Sequence, residues 1–450
     1  MVTPLHQGPL LGLAARAPAV PLDTLAGIGN VMVLSPHPDD ETLGCAQAIS
    51  AACDQGRKVI VVVVTNGNLS HPHSRRYPRN ALAALRRQEC IDALDVLGGA
   101  AITSVFLDFD DQGSPSTLQA QQCCVAQLET LAKAHEVTAI WTSWEHDPHC
   151  DHQRVAQLGV WLHALRPDMA LYQYPIWGRF LPELPKLAGP LCRFFADGGA
   201  SRKARAIDCY QSQTTTLIDD DPEGFVMDAP TKAHFVEAPE LFIRHNVPPR
   251  MQEFDALYLN DPDPWRFLTS EYEKNKYAVT LAALPQKRYR CAIEAGCSIG
   301  VLTEKLSARC DQVIGLDISG VAIALARSRS TQCEHVRFLQ ARLPDDWPDV
   351  SADLIVLSEI LYFLQAWQIE ELARHVAQSW EDNGNCVLVN FSGDTRQALQ
   401  GAQAAQVFVE AIGRVTGVAC LSREHYEGFA VVVLKKTAAT PVSQPNIPAR

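Results

Sequence analysis

A chain of 450 residues exceeds what one hydrophobic core usually organises, and 47% apolar against 20% charged residues excludes a disordered polymer. The formal net charge of −12 argues against broad binding to nucleic acid, whose phosphates it would repel. The 14 cysteines are scattered with no C-x-x-C spacing, which excludes a small disulfide scaffold and points to thiols in a reducing compartment.

At the start, residues 1–20 lack a basic n-region, and the apolar run Leu10–Ala15 is short and followed by Arg16. No run has bilayer-spanning length, so the expectation is a cytoplasmic protein with no membrane insertion and no nucleic-acid partner. Val31–Leu34 reads as a buried strand that stops at Ser35-Pro36 and gives way to a helix over Leu43–Ala52. Further strands are expected at Val59–Thr65, Ser104–Leu107, Ala139–Thr142 and Ala170–Tyr174. His245–Arg250, with paired prolines, and the Asp/Pro repeat Asn260–Pro264 are linker and turn chemistry.

A second series opens with Arg290–Ile293 and a glycine-containing loop into the helical stretch Val301–Arg309. It continues through Gln312–Leu316, Val336–Leu339, Asp353–Leu357, Cys386–Asn390 and Phe429–Lys435. Short apolar strands alternating with helices imply an α/β chain: two Rossmann-like three-layer (αβα) domains with mostly parallel sheets. The expected boundaries are residues 1–250, residues 251–436 and a flexible, proline-containing tail at 437–450.

In the first half, His37-Pro38-Asp39-Asp40-Glu41 directly follows one strand, and His149-Cys150-Asp151-His152 follows another. The ends of strands are where open α/β sheets place their sites. His37 and Asp40 stand at i,i+3, on one side of a helical first turn. Two histidines and one carboxylate leave a tetrahedral position open, the pattern of a catalytic zinc, although iron(II) accepts similar ligands. Together the two segments resemble the paired signature of the LmbE/PIG-L deacetylases, which remove N-acetyl groups from amino sugars and related small molecules. The resemblance implies a Zn2+ site held by His37, Asp40 and His152, with Asp39 as general base. It further implies that His149 stabilises the oxyanion or protonates the leaving amine, and that Asp151 orients a histidine. Thr65-Asn66-Gly67-Asn68, then Arg86 and Glu89 on a helix, and Lys203–Gln213 resemble further family segments, with Tyr210 where a histidine is usual. The neighbouring His71-Pro72-His73 reads as a solvated loop, the alternative being that Arg75, Arg76 and Arg79 hold an anionic substrate group.

In the second half, Glu294-Ala295-Gly296-Cys297-Ser298-Ile299-Gly300 leaves a strand and enters a helix, so backbone can pass close to a ligand. Asp317 ends the next strand, where a carboxylate can accept ribose hydroxyls. Asp353–Glu359 with Ile360–Leu364 resembles the fourth-strand motif of class I methyltransferases. The lead-in Asp261–Trp265, Arg266, Glu271–Glu273 and Tyr277 is similar to the enzymes that N-methylate deacetylated glucosamine in rhizobial nodulation factors. That resemblance implies S-adenosyl-L-methionine held by Glu294, Gly296, Gly300 and Asp317, with Ser358 and Glu359 beneath the reacting centre. Trp265, Arg266, Tyr272 and Tyr277 would cap it, with plain core as the alternative for the aromatics. Ser298 replaces a glycine of the motif. No acid occupies Gln340-Ala341-Arg342, which leaves Asp345, Asp346 or backbone groups for adenine.

The two resemblances combine into a bifunctional enzyme acting on a small-molecule N-acetylated sugar or glycoconjugate, deacetylating first and methylating the freed amine second. The alternatives are methylation at oxygen or another acceptor, or a non-catalytic docking module beside an active deacetylase.

Overall fold

The computed structural model describes residues 8–246 and 249–437. The tail at 438–450 and Val247-Pro248 of the linker lie outside the described residues. The chain separates into two compact units, Met1–Gln252 and Glu253–Arg450, and the division falls within the helix Pro249–Asn260.

The first unit holds β1 (Asn30–Ser35), β2 (Val59–Thr65), β3 (Ile102–Phe109), β4 (Val137–Ser143), β5 (Ala170–Tyr174), β6 (Leu191–Phe194) and β7 (Glu240–Arg244). They form one sheet in the order β3-β2-β1-β4-β5-β7-β6. β1 to β5 run parallel, and β7 is antiparallel to both β5 and β6. Val31–Leu34 and the whole apolar run of β2 are buried, as strands covered by helices on both faces must be. Leu43, Ala46 and Ile49 of the helix Asp40–Asp54 join Val31, Val33, Val59 and Val61 in one core. β1 pairs with β2 on one side and β4 on the other, so the chain reverses its direction of travel across the sheet between β1 and β4. A crevice outside the carboxyl ends of these strands is the natural place for a ligand.

The second unit holds β8 (Tyr289–Ala295), β9 (Cys310–Asp317), β10 (Val336–Gln340), β11 (Ala352–Ser358), β12 (Trp380–Phe391), β13 (Gly417–His425) and β14 (Phe429–Thr437). Its order, β10-β9-β8-β11-β12-β14-β13, repeats that of the first unit, with β14 antiparallel to β12 and β13. The switch point lies between β8 and β11. The helices Ala366–Ser379 and Gly401–Val415 each begin with a reciprocal glutamine box, Gln365 with Gln368 and Gln400 with Gln403. Their apolar faces, including Leu372, Val376, Phe408 and Ile412, cover Ile355, Leu357 and Leu388.

Both units are thus α/β with mostly parallel sheets, as the alternation of elements predicts. Three strands escape the sequence reading: β6, β7 and β13. β6 and β7 are only four and five residues long, and β13 is an edge strand with mostly half-exposed or exposed residues. None presents the continuous apolar run that marks a strand buried on both faces.

Candidate active sites

In the first unit the strand–turn–helix after β1 is tied by short-range bonds. The Glu41 N–H donates to Ser35 Oγ at 3.1 Å, and Ser35 Oγ lies 2.9 Å from Glu41 Oε2. Asp39 sits at the helix N-terminus with φ 135°, a costly conformation for a residue with a Cβ. After β4, the Ser143 hydroxyl donates to the His152 carbonyl at 2.7 Å, and the side chain of His149 caps the helix Cys150–Leu165. Both termini face the crevice at the switch point, and the result is a convergence of donors. Asp40 Oδ2 is 3.0 Å from His37 Nδ1 and 3.1 Å from His152 Nε2, and the two nitrogens are 3.3 Å apart.

Three ligand atoms on a tetrahedral ion, each about 2.0–2.1 Å from it, stand roughly 3.3 Å from one another, so this donor set suits a zinc-sized cation. The outer contacts agree. His37 Nε2 lies 3.2 Å from Asp151 Oδ2 and 3.3 Å from Asp111 Oδ1, and His152 Nδ1 lies 3.3 Å from Asp147 Oδ1. Carboxylates behind each imidazole fix the ring and its tautomer. Asp147 is itself held by the N–H groups of Ile176 and Gly178, at 2.9 and 3.0 Å. Asp151 accepts from Gln112 N at 2.7 Å and from the amide and hydroxyl of Ser114.

The electrostatics follow from this crowding of acids. Burial pulls His37 down, but its bonds to Asp111, Asp151 and Asp40 outweigh it and hold the imidazole well above its ordinary value. Burial likewise opposes protonation of His152, yet Asp40 and Asp147 raise it to about 9. Burial would raise Asp40, but His152 and His37 hold it far below the usual carboxylate range. Asp39 goes the other way. Burial raises it to about 7, against the attraction of Arg86, whose Nη2 lies 2.9 Å from Asp39 Oδ2. His149 is lowered by burial and by repulsion from His37 and His152. Its Nδ1 accepts the Asp151 N–H at 3.2 Å, so in the neutral ring the proton belongs on Nε2.

In the second unit the loop after β8 takes three left-handed residues, Gly296 (φ 81°), Ser298 (φ 48°) and Gly300 (φ 77°). A Cβ on Gly296 would stand 2.7 Å from the Ser358 carbonyl and 2.1 Å from Ile360 Cγ2, so the close approach needs glycine as much as the torsion does. Asp317 Oδ2 accepts from Ser298 N and Oδ1 from Ser319 N, each at 2.9 Å, which pins the carboxylate across the loop. Burial pushes Asp317 up to about 6 in spite of these bonds. Glu294 is buried and accepts from Thr303 Oγ1 at 2.6 Å, and burial pushes it up to about 8. Glu359, just past β11, has φ 59°, and its Oε2 accepts from the Tyr362 hydroxyl at 2.6 Å and Phe391 N at 3.1 Å.

Residues 32–162 match the PIG-L family model, GlcNAc-PI de-N-acetylase, and residues 252–385 match that of NodS, nodulation protein S. The chain joins a PIG-L domain to a NodS domain. Nodulation protein S of Sinorhizobium fredii is 33% identical over 104 residues, covering 23% of this chain and 48% of that protein. The Escherichia coli protein named uncharacterized deacetylase YaiS is 25% identical over 161 residues, 34% of this chain and 80% of its own. The crystal structure of N-methyltransferase NodS from Bradyrhizobium japonicum WM9 with S-adenosyl-L-homocysteine aligns with 19% identity and a TM-score of 0.36, covering 41% of this chain and 97% of that one. The chain spans about half the length of the first nodulation proteins it matches, 48%, 43% and 50%.

Within the PIG-L domain, His37, Asp39, Asp40, His149, Asp151 and His152 come together although more than a hundred residues separate the two segments. Sequence reasoning missed Asp111 and Asp147. Asp147 lies two residues before the second segment, and Asp111 ends the acidic run that closes β3, so strand-end acids were the available signal. The Arg-rich loop is exposed as expected at Pro72, His73 and Arg79, with one departure at His71. His71 is buried against Gly224, while Arg75 and Arg76 are exposed. The bonds of that loop go to acids of the same domain: Asp220 accepts from the N–H groups of Arg75 and Arg76, and Arg76 pairs with Asp219 at 2.5 Å.

Within the NodS domain, Gly296 lies against the Ser358 carbonyl and Asp317 binds the same loop at Ser298 N, whereas Gly300 packs against Phe338 and Ala326. Glu294 lies below them, turned to Thr303. Trp265 is 41% exposed and packs on Phe254, Tyr258 and Phe267, whereas the Arg266 guanidinium pairs with Asp261 at 3.0 Å. Tyr272 donates its hydroxyl to the Gly428 carbonyl at 3.0 Å, and Tyr277 is buried. Asp345 is paired to the Arg342 guanidinium and Asp346 to its N–H, so both acids considered for adenine are already engaged. Tyr258, missed from sequence, sets its hydroxyl against Ser298 Oγ in the loop.

Proposed function

We propose that this chain is a bifunctional enzyme that hydrolyses an N-acetyl group from an amino-sugar-type substrate and then N-methylates the freed amine. The observation that carries the reading is the convergence of His37 Nδ1, Asp40 Oδ2 and His152 Nε2 within 3.3 Å of one another, backed by carboxylates on both imidazoles. Those three residues would hold zinc, which supplies Lewis acidity and lowers the pKa of a water to about 7. Asp39, oriented by Arg86, takes a proton from the attacking water as general base. His149 offers its Nε2 proton to the developing oxyanion and then to the departing nitrogen, while Asp151 keeps the His37 ring in register.

In the NodS domain Gly296 leaves room for S-adenosyl-L-methionine, which supplies an electrophilic methyl group when bound. Asp317, with one backbone N–H on each oxygen, retains lone pairs for two ribose hydroxyls. Gly300 opens the helix that follows, and Ser358 and Glu359 border the reacting end. Glu294 braces the loop from below through Thr303. Trp265, Arg266 and Tyr272 lie on the segment leading into the domain and would close over the cofactor or acceptor. The order of chemistry supports the pairing, since amide hydrolysis exposes the nucleophile that methyl transfer needs.

A reducing, cytoplasmic setting fits the 14 free cysteines. Among the described residues no helix is long and apolar enough to cross a membrane.

Mass spectrometry of products from N-acetylglucosamine-capped oligosaccharides, with and without the sulfonium cofactor, tests the reading. Asp39→Ala should abolish acetyl loss, and Asp317→Ala should abolish the later methyl gain. Methylation of an intact acetylated substrate would overturn the sequence of steps.

A further inference from the structure

The helix Glu271–Ala282 brings an unusual group to the end of β11. The Lys276 ammonium is 3.0 Å from Glu273 Oε1, 3.2 Å from Glu359 Oε1 and 5.2 Å from the centre of the Tyr272 ring. Its side chain is only 4% exposed. Glu359 is fixed by Tyr362 and Phe391 N as described, and its left-handed backbone is a strain that the fold maintains. Glu273 is buried, and the Tyr277 phenol is close enough to its carboxylate to share a hydrogen bond and feel its charge. Two carboxylates against one ammonium leave the cluster with one surplus negative charge.

A structural ion pair needs only one acid. Two acids and an aromatic face around one ammonium are instead the recognition chemistry of a cationic amine. The location is consistent with that use, because Ile360 and the Ser358 carbonyl, on either side of Glu359 in sequence, lie against Gly296. We propose that Glu273, Glu359 and the Tyr272 ring form the subsite that recognises the amine of the methyl acceptor, and that Lys276 is its internal occupant, displaced by the incoming ammonium.

This rests on the NodS domain being an N-methyltransferase, and it gives that reading a source of selectivity. An acetamide nitrogen carries no charge and cannot replace Lys276, whereas the deacetylated amine exchanges one ammonium for another. The bound ammonium passes one proton to the Glu273 carboxylate. The freed lone pair forms the N–C bond as the C–S bond of the sulfonium breaks, leaving a secondary ammonium and a neutral thioether. Burial raises Glu273 above the ordinary carboxylate range, which suits it better for this proton.

The test uses the full chain, glucosamine and N-acetylglucosamine as probes, and three readouts. These are methyl-transfer kinetics, S-adenosylhomocysteine affinity by calorimetry, and glucosamine binding by saturation-transfer NMR on protein loaded with S-adenosylhomocysteine. Glu273→Gln should raise the KM for glucosamine tenfold or more and remove its saturation-transfer signal while thioether affinity stays unchanged. Lys276→Met should lower that KM, because the internal competitor is gone. Lys276→Arg, which keeps the charge and holds both carboxylates in a fork, should raise it, and this variant decides the matter if Lys276→Met does not fold. An unchanged KM in Glu273→Gln, or a fall in Lys276→Arg, overturns the subsite while leaving N-methylation intact. If the wild type binds S-adenosylhomocysteine but does not prefer glucosamine to N-acetylglucosamine, the N-methylation reading itself fails and the subsite with it.

Discussion

Arg86 donates to the Gly67 carbonyl at 3.0 Å, to the Pro38 carbonyl at 2.7 Å and to Asp39 at 2.9 Å, all within a buried pocket. Gly67 is both left-handed (φ 62°) and so close that a Cβ would stand 2.1 Å from Arg86 Nη1. Gly67→Ala must therefore displace the guanidinium from Asp39 as well as strain the turn. Strain alone costs on the order of 1–3 kcal/mol. Deacetylation kcat/KM is expected to fall at least tenfold in a steady-state assay, with S-adenosylhomocysteine affinity in the other domain unchanged. An unchanged kcat/KM would mean that Arg86 does not act on Asp39.

Protonation of Asp317 acts on stability and on cofactor affinity with opposite signs. Burial lifts its folded value from 3.8 to about 6. Its contribution to stability is thus fully present below 3.8 and is lost as pH rises through about 6. Ribose hydroxyls, however, need the ionised acceptor, so S-adenosylhomocysteine affinity should weaken as pH falls from 8 through 6 to 5. Calorimetric titration across that range checks it, and a flat profile would remove Asp317 from the binding site.

Among the elements, the helix Asp40–Asp54 is the one on which most depends, since it carries Asp40 into the first site. Its middle is gripped from outside. Glu240 on β7 accepts from Gln47 N at 2.8 Å and Ala48 N at 2.9 Å, while Lys203 donates to the Leu43 carbonyl at 2.7 Å and to Glu240 at 2.9 Å. Both side chains are almost wholly buried. Breaking a buried pair by removing one partner costs about 3–5 kcal/mol, because the other charge is left uncompensated. Lys203→Met should lower one of two calorimetric unfolding transitions by several degrees, and S-adenosylhomocysteine should still raise the other. A single shared shift would mean that the two units unfold together.

This element also shows where reading from sequence stops. The apolar onset at Leu43 places the helix three residues late, because Asp40, Glu41 and Thr42 look like turn chemistry until Ser35 and Tyr210 are seen binding Glu41. The Lys203 segment is visible through its family resemblance, but Glu240 is not, since β7 is only five residues long and lies between β5 and β6 far from its neighbours in sequence, so no local pattern announces it.

For the molecule as a whole, one strand order serves twice, and the two crevices are built from different side chains. The chemistries should therefore be separable by ligand. A strong metal chelator is expected to abolish deacetylation and leave methylation of a pre-formed amine intact, and added S-adenosylhomocysteine should do the reverse. Parallel assays on acetylated and free amino sugars check both arms, and loss of methylation on chelation would contradict separate sites.

By itself the sequence determined the fold class and the long apolar strands of both sheets, and it singled out the six residues of the first constellation that the fold brings together. Strands buried on both faces must be continuously apolar, and a site at a strand end must follow such a run directly. Only the tertiary structure decided which charged groups meet. Asp111 and Asp147 behind the histidines, Glu240 against Lys203, and Glu273 with Glu359 around Lys276 are pairings between elements far apart in the chain. Their energy comes from burial and distance, and neither is written in local residue order.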